Sequence, residues 1–100
     1  MLEVRRYTAT PGNAKALADR FTQRTLPLLR ELGVEVLGIG TGTEDPHLIT
    51  YILRWEDQAA MDRGWQQFTA HPEWAAIKRD TEPDGPLYLT IDKLFLAELA

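Results

Sequence analysis

Residues 48–55, Leu-Ile-Thr-Tyr-Ile-Leu-Arg-Trp, decide the fold. β-branched and aromatic side chains fill the stretch, which predicts a strand. Its apolar residues stand at both parities: Ile49, Tyr51, Leu53 and Trp55 on one side, Leu48 and Ile52 on the other. The same double pattern recurs in 87–96, LYLTIDKLFL, where Leu89, Ile91 and Phe95 face one way and Tyr88, Leu94 and Leu96 the other. A sheet wet on one side alternates more cleanly, so both faces of this sheet are expected to be covered.

Upstream, VEVLGIGTG at 34–42 reads as a strand joined through the polar turn 43–47, TEDPH, into a hairpin. Gly38, Gly40 and Gly42 within it predict a bulge or the close approach of another backbone. LEVRRYTA at 2–9 is a further strand ending at Pro11-Gly12. Between the two, Leu17, Ala18, Phe21, Leu28, Leu29 and Leu32 recur at helical steps, with Asn13 as the expected N-cap and Gly33 as the stop. Pro27 should kink that helix. Downstream, Asp57 caps a second helix whose Met61, Trp65 and Phe68 share a face. His71-Pro72 breaks it, a short continuation places Trp74 and Ile77 back on the core, and TEPDGP at 81–86 is a loop.

The order β-α-β-β-α-β predicts an α+β domain: a ferredoxin-like sandwich of four antiparallel strands with both helices on one face. Nothing in the chain is left over to cover the other face, so a second copy is expected there, making a homodimer.

With 100 residues, 44 % hydrophobic and 26 % charged, the chain reads as a single domain over 1–100. Fifteen acidic against eleven basic residues leave a net charge of −4, which argues against nucleic-acid binding. With no cysteine there is no disulfide framework, Cys-ligated zinc or thiol catalysis. No apolar run is long enough to span a membrane and the N-terminus does not read as a signal peptide, so the cytoplasm is the expected location.

Four motifs stand in order along the chain: Glu3-x-Arg5-x-Tyr7-x3-Pro11-Gly12, Phe21-x5-Pro27, Trp55-Glu56-Asp57 and Pro72-Glu73-Trp74. Together they resemble the NIPSNAP family over nearly the whole length. The resemblance implies the dimeric α+β barrel, in which two ferredoxin-like sheets pack face to face around a central cavity. Relatives at that level include cofactor-independent monooxygenases, lactone isomerases, haem-degrading enzymes and stress-responsive barrels, so the fold leaves the chemistry open. The chain departs from the family pattern in the third strand, with Tyr51 and Leu53 where a His and a Trp are often found.

Glu3, Arg5 and Tyr7 share one parity, as do Tyr51, Leu53 and Trp55. If both sets face the inter-subunit cavity, Arg5, Tyr7, Tyr51 and Trp55 make an apolar pocket with a few polar groups, suited to a small apolar or acidic ligand. The alternative is that Arg5 simply pairs with an acid and the aromatics pack; a one-residue slip would bring in Arg6 instead. His71 and His47 occupy loop positions, with His71 the better candidate to reach a cavity mouth and a helix cap its competing role. The expected ligand-binding set is therefore Arg5, Tyr7, Tyr51, Trp55 and His71, with no catalytic residue assigned. Two separated histidines suggest neither a metal nor haem, and no cofactor is expected. Serine is absent and no Gly-rich phosphate loop precedes a helix, which leaves hydrolytic catalysis little support. Two functions fit: a small-molecule-binding homodimer working as a cofactor-independent monooxygenase or isomerase, or a non-catalytic stress-response or interaction module with a filled barrel.

Overall fold

Strand β1 (Leu2–Ala9) lies inside the sheet between β3 (Leu48–Arg54) and β4 (Tyr88–Leu96), with β2 (Glu35–Thr41) on the outer edge of β3. The order β2-β3-β1-β4 and the three antiparallel pairings are those of the ferredoxin-like sandwich, in a computed structural model that describes all 100 residues. The hydrophobic core, including Leu17, Phe21, Leu29, Ile49, Leu53 and Ile77, fills the space between the sheet and the helices.

The first helical arm has three consecutive parts: α1 (Ala14–Arg20), a π-wound turn at Phe21–Thr25, and α2 (Leu26–Glu31). Pro27 accounts for the wide turn. Its ring crowds the carbonyl four residues earlier and it has no N–H to offer that carbonyl, so regular α winding is blocked just before it. The Leu26 N–H reaches back instead to the Phe21 carbonyl. The expected kink thus takes the form of a change of winding. Gly33, with φ +84°, ends the arm in a conformation that a side chain would resist. Asn13 does not cap through its side chain as expected; its amide donates to Thr10 Oγ1 at 2.6 Å, drawn back into the Pro11-Gly12 turn.

The second arm comprises α3 (Gln58–Ala70) and α4 (Pro72–Thr81). Asp57 caps α3, accepting from the Ala60 N–H at 2.8 Å. His71 separates the helices and caps α4, its Nδ1 accepting from the Glu73 N–H at 3.0 Å.

Residues paired across antiparallel strands share a face. Arg5 pairs with Tyr51 and Tyr7 with Ile49, all on the side covered by the helices. This corrects the expected placement: the parity carrying Arg5, Tyr7, Tyr51 and Trp55 points into the subunit's own sheet–helix layer, because the chain's helices cover that face. The opposite face carries Val4 flanked by Ile52 and Leu94, and Arg6 beside Asp92. Gly38 and Gly40 of β2 leave a shallow trough on it beside Leu48, Thr50 and Ile52.

Two irregularities alter the strict alternation. Register shifts between Val36 and Gly38, fulfilling the bulge expected from the glycine-rich strand. A second shift, with Thr8 opposite Thr90 but Ala9 opposite Tyr88, leaves Leu89 unpaired and turns Tyr88 to the helix side along with Ile91.

Candidate functional site

Glu3 is 1 % exposed and hydrogen-bonded on both carboxylate oxygens. Its Oε1 accepts from the indole N–H groups of Trp55 and Trp65, each at 2.9 Å, and its Oε2 accepts from Arg5 Nη1 at 3.0 Å. β1 places Glu3, Arg5 and Tyr7 in line because alternate residues share a face. A buried carboxylate is tolerated here because two indole N–H groups and a guanidinium compensate it.

Arg5 passes the chain onward. Its Nε and Nη2 both donate to the Tyr7 hydroxyl, at 3.1 and 3.0 Å, while its Cζ lies 4.4 Å from the centre of the Trp65 ring. Burial opposes the Arg5 charge, but the tyrosyl oxygens of Tyr51 and Tyr7 and the hydrogen bonds to Tyr7 and Glu3 outweigh it and raise the pKa. The Tyr7 and Tyr51 hydroxyls are 3.1 Å apart. A phenol oxygen has two lone pairs, and two Arg5 N–H groups occupy those of Tyr7. Tyr7 must therefore donate to Tyr51, which leaves the Tyr51 proton free. Burial first, then the neighbouring Tyr7, push the Tyr51 pKa well above the ordinary tyrosine value, with Arg5 opposing only in part. Tyr51 is thus a neutral, polarised O–H donor.

That donor belongs to the lining of a cavity of about 100 Å³ between sheet and helices. Arg5, Tyr7 and Tyr51 line it from the sheet, Phe21 from the π turn, and Trp65, Phe68 and Trp74 from the second arm. The tyrosines and Phe21 pack edge to face at 4.7 and 5.2 Å. Phe68 is wall and core at once, and Trp65, on the same face of α3, lines the cavity while packing against the core.

Arg20, Thr25, Thr69 and Tyr88 also line the cavity and escaped the sequence reading. Arg20 is 3 % exposed, with its guanidinium 5.5 to 6.0 Å from the ring centres of Phe21, Trp74 and Tyr88. Its Nη1 donates to Glu82 at 3.0 Å, whereas its Nε is buried without a partner. The Thr25 hydroxyl is likewise buried and unpartnered. Tyr88 joins them through the bulge. The legible signal for Arg20 was its position three residues after Leu17, a charge on the apolar stripe.

The remaining expected residues sit elsewhere. Trp55 is buried behind Trp65 and lies against Gly64, holding Glu3 rather than lining the cavity. His71 is spent on its cap, outside the lining. Arg6, the alternative to Arg5, pairs with Asp92 at 3.0 Å on the opposite face. No three His, Asp or Glu side chains are grouped so as to hold a metal ion. No helix is long and apolar enough to cross a membrane.

The fold recurs in solved structures. An uncharacterised NIPSNAP domain protein from Burkholderia xenovorans superposes with a TM-score of 0.80 at 19 % identity, over 99 % of this chain and 94 % of that one. A NIPSNAP family protein of unknown function from Agrobacterium tumefaciens gives 0.78 at 15 % identity, over 93 % and 82 %. An antibiotic biosynthesis monooxygenase gives 0.69 at 14 % identity, over the whole of both chains. No curated protein matches the sequence. The sequence pattern of the NIPSNAP family matches residues 2–93, and with the ferredoxin-like sheet and the ordered motifs in place, the chain belongs to the NIPSNAP family.

Proposed function

We propose that this NIPSNAP protein is a small-molecule-binding homodimer whose cavity within each subunit holds an apolar, oxygen-bearing compound. The observation that carries this reading is the chain Glu3–Arg5–Tyr7–Tyr51, which ends on a Tyr51 hydroxyl in the lining of an aromatic-walled cavity. Such a donor stabilises negative charge developing on a ligand oxygen. Glu3 lies outside the lining and is saturated by three donors, so the cavity offers a ligand no spare carboxylate to act as a base. The environment suits compounds that enter already ionised, having lost their proton to solvent, and reaction of such an enolate with dioxygen without a cofactor is the activity it fits. The antibiotic biosynthesis monooxygenase of the same fold supports this choice of chemistry by analogy.

Assembly of the dimer through the open sheet face is supported by the row of Val4, Ile52 and Leu94. The volume of about 100 Å³ favours a second reading, in which the aromatic side chains fill the layer and the protein is a non-catalytic module, since ligand sites generally reach several hundred Å³.

Titrating phenol and acetylacetone while following tryptophan emission decides between the two. Trp65 and Trp74 wall the cavity, so binding should change their emission, and Tyr51→Phe should weaken it about tenfold. Emission unchanged by either compound favours the filled module.

A further inference from the structure

Arg20 and Thr25 present a second polar end to the same cavity. A guanidinium has two edges, and Glu82 takes Arg20 through Nη1 only, leaving the Nε edge free. Three aromatic rings surround the guanidinium and its side chain is 1 % exposed. Thr25 reaches the lining because the π turn sets it on the same side as Phe21. Two buried donors left without acceptors are costly in a folded protein, and two donors match the two oxygens of one carboxylate. Phe21 links this end to the other: Arg20 Cζ is 6.0 Å from its ring centre and the Tyr51 ring is 5.2 Å from it.

Resting on the proposed ligand cavity, we infer that Arg20 Nε and Thr25 Oγ1 form an anion subsite and that the ligand class is a small unsaturated or aromatic carboxylic acid. The carboxylate lies on Arg20 and Thr25, and the apolar body lies among Phe21, Phe68 and Trp74. Glu82, its side chain 17 % exposed, stays on Nη1 and does not compete for Nε.

The test compares crotonate and benzoate with crotonamide and benzamide by calorimetry, on the wild type, Thr25→Val and Arg20→Lys. The wild type should bind each acid at least tenfold more tightly than its amide. Thr25→Val keeps the shape and deletes an unpartnered hydroxyl, so it should melt no lower than the wild type while the preference for acid shrinks severalfold. Arg20→Lys keeps the charge but not the Nε–H and should also reduce it, which guards against a fold defect in either variant. Equal binding of acids and amides, or a preference untouched by both variants, overturns the subsite while leaving the cavity reading in place. A Thr25→Val protein that melts lower and binds acids as the wild type does assigns these donors to a buried water and overturns the subsite as well. If none of the four compounds binds, and phenol and acetylacetone also leave the emission unchanged, the cavity reading falls together with the subsite.

Discussion

The Tyr7 hydroxyl takes two N–H groups from Arg5 and lies 3.1 Å from the hydroxyl of Tyr51, so the first phenol orients the second. Glu3 anchors Arg5 from the other side, held in turn by two indoles. Five side chains drawn from β1, the end of β3 and α3 thereby converge on one free proton, that of Tyr51, in a wall otherwise made of aromatic rings.

The raised Tyr51 pKa sets an alkaline stability limit. In the unfolded chain a phenol ionises near pH ~10. In the fold, burial and Tyr7 hold the proton well beyond that. The stabilisation is present in full below about pH 10 and is lost as the pH rises toward the folded pKa, by up to about 1.4 kcal/mol per unit. Urea midpoints between pH 8.5 and 11 should fall more steeply for the wild type than for Tyr51→Phe. Equal slopes would mean that Tyr51 ionises freely in the fold.

Removing the charge of Glu3 should be far costlier than removing an exposed one. Glu3→Gln leaves Arg5, only 11 % exposed in its side chain, without its carboxylate and turns an amide N–H toward a donor. A loss of about 3–5 kcal/mol is expected. Lys15→Ala, which breaks the exposed pair with Asp19, should change stability by no more than about 0.5 kcal/mol. Denaturant titrations of the two variants give the comparison directly.

Asp57→Ala should lower stability by about 1 kcal/mol and leave cavity ligands unaffected. Asp57 satisfies the Ala60 N–H at the start of α3 and lies outside the lining. Thermal melts with and without phenol separate the two effects; lost binding at unchanged stability would place Asp57 in the site.

Charge on the open sheet face should split the proposed dimer. Ile52 neighbours Val4 there and points away from the core. Ile52→Glu is expected to give a folded 11.4 kDa species by light scattering where the wild type scatters at about twice that mass. A wild type that already scatters as a monomer would remove the homodimer.

Element order was readable because each signal is local. Asp57 as a cap, Gly33 as a stop and the alternation of 48–55 need only the residues beside them, and all appear as expected. Asn13 shows where locality fails: its type suits a cap, but Thr10 offered its side chain a competing partner. Half of the site was equally readable, since Arg5, Tyr7 and Tyr51 follow from strand parity. Thr25 and Tyr88 did not, because a π turn and a bulge broke the simple periods that bring them to the cavity, whereas Arg20 stands in regular helical phase after Leu17 and was hidden only by its charge.

Taken by itself, the sequence determined the βαββαβ order, the parity of each strand and the family motifs, because a backbone's repeat sets the relative phase of neighbouring side chains. Only the tertiary structure decided which parity the chain's own helices cover. Alternation shows that Arg5 and Arg6 point oppositely, but not which of them meets Tyr51 and which meets Asp92. That choice, like the meeting of Arg20 with Tyr88 across 68 residues of chain, depends on long-range packing that no local pattern encodes.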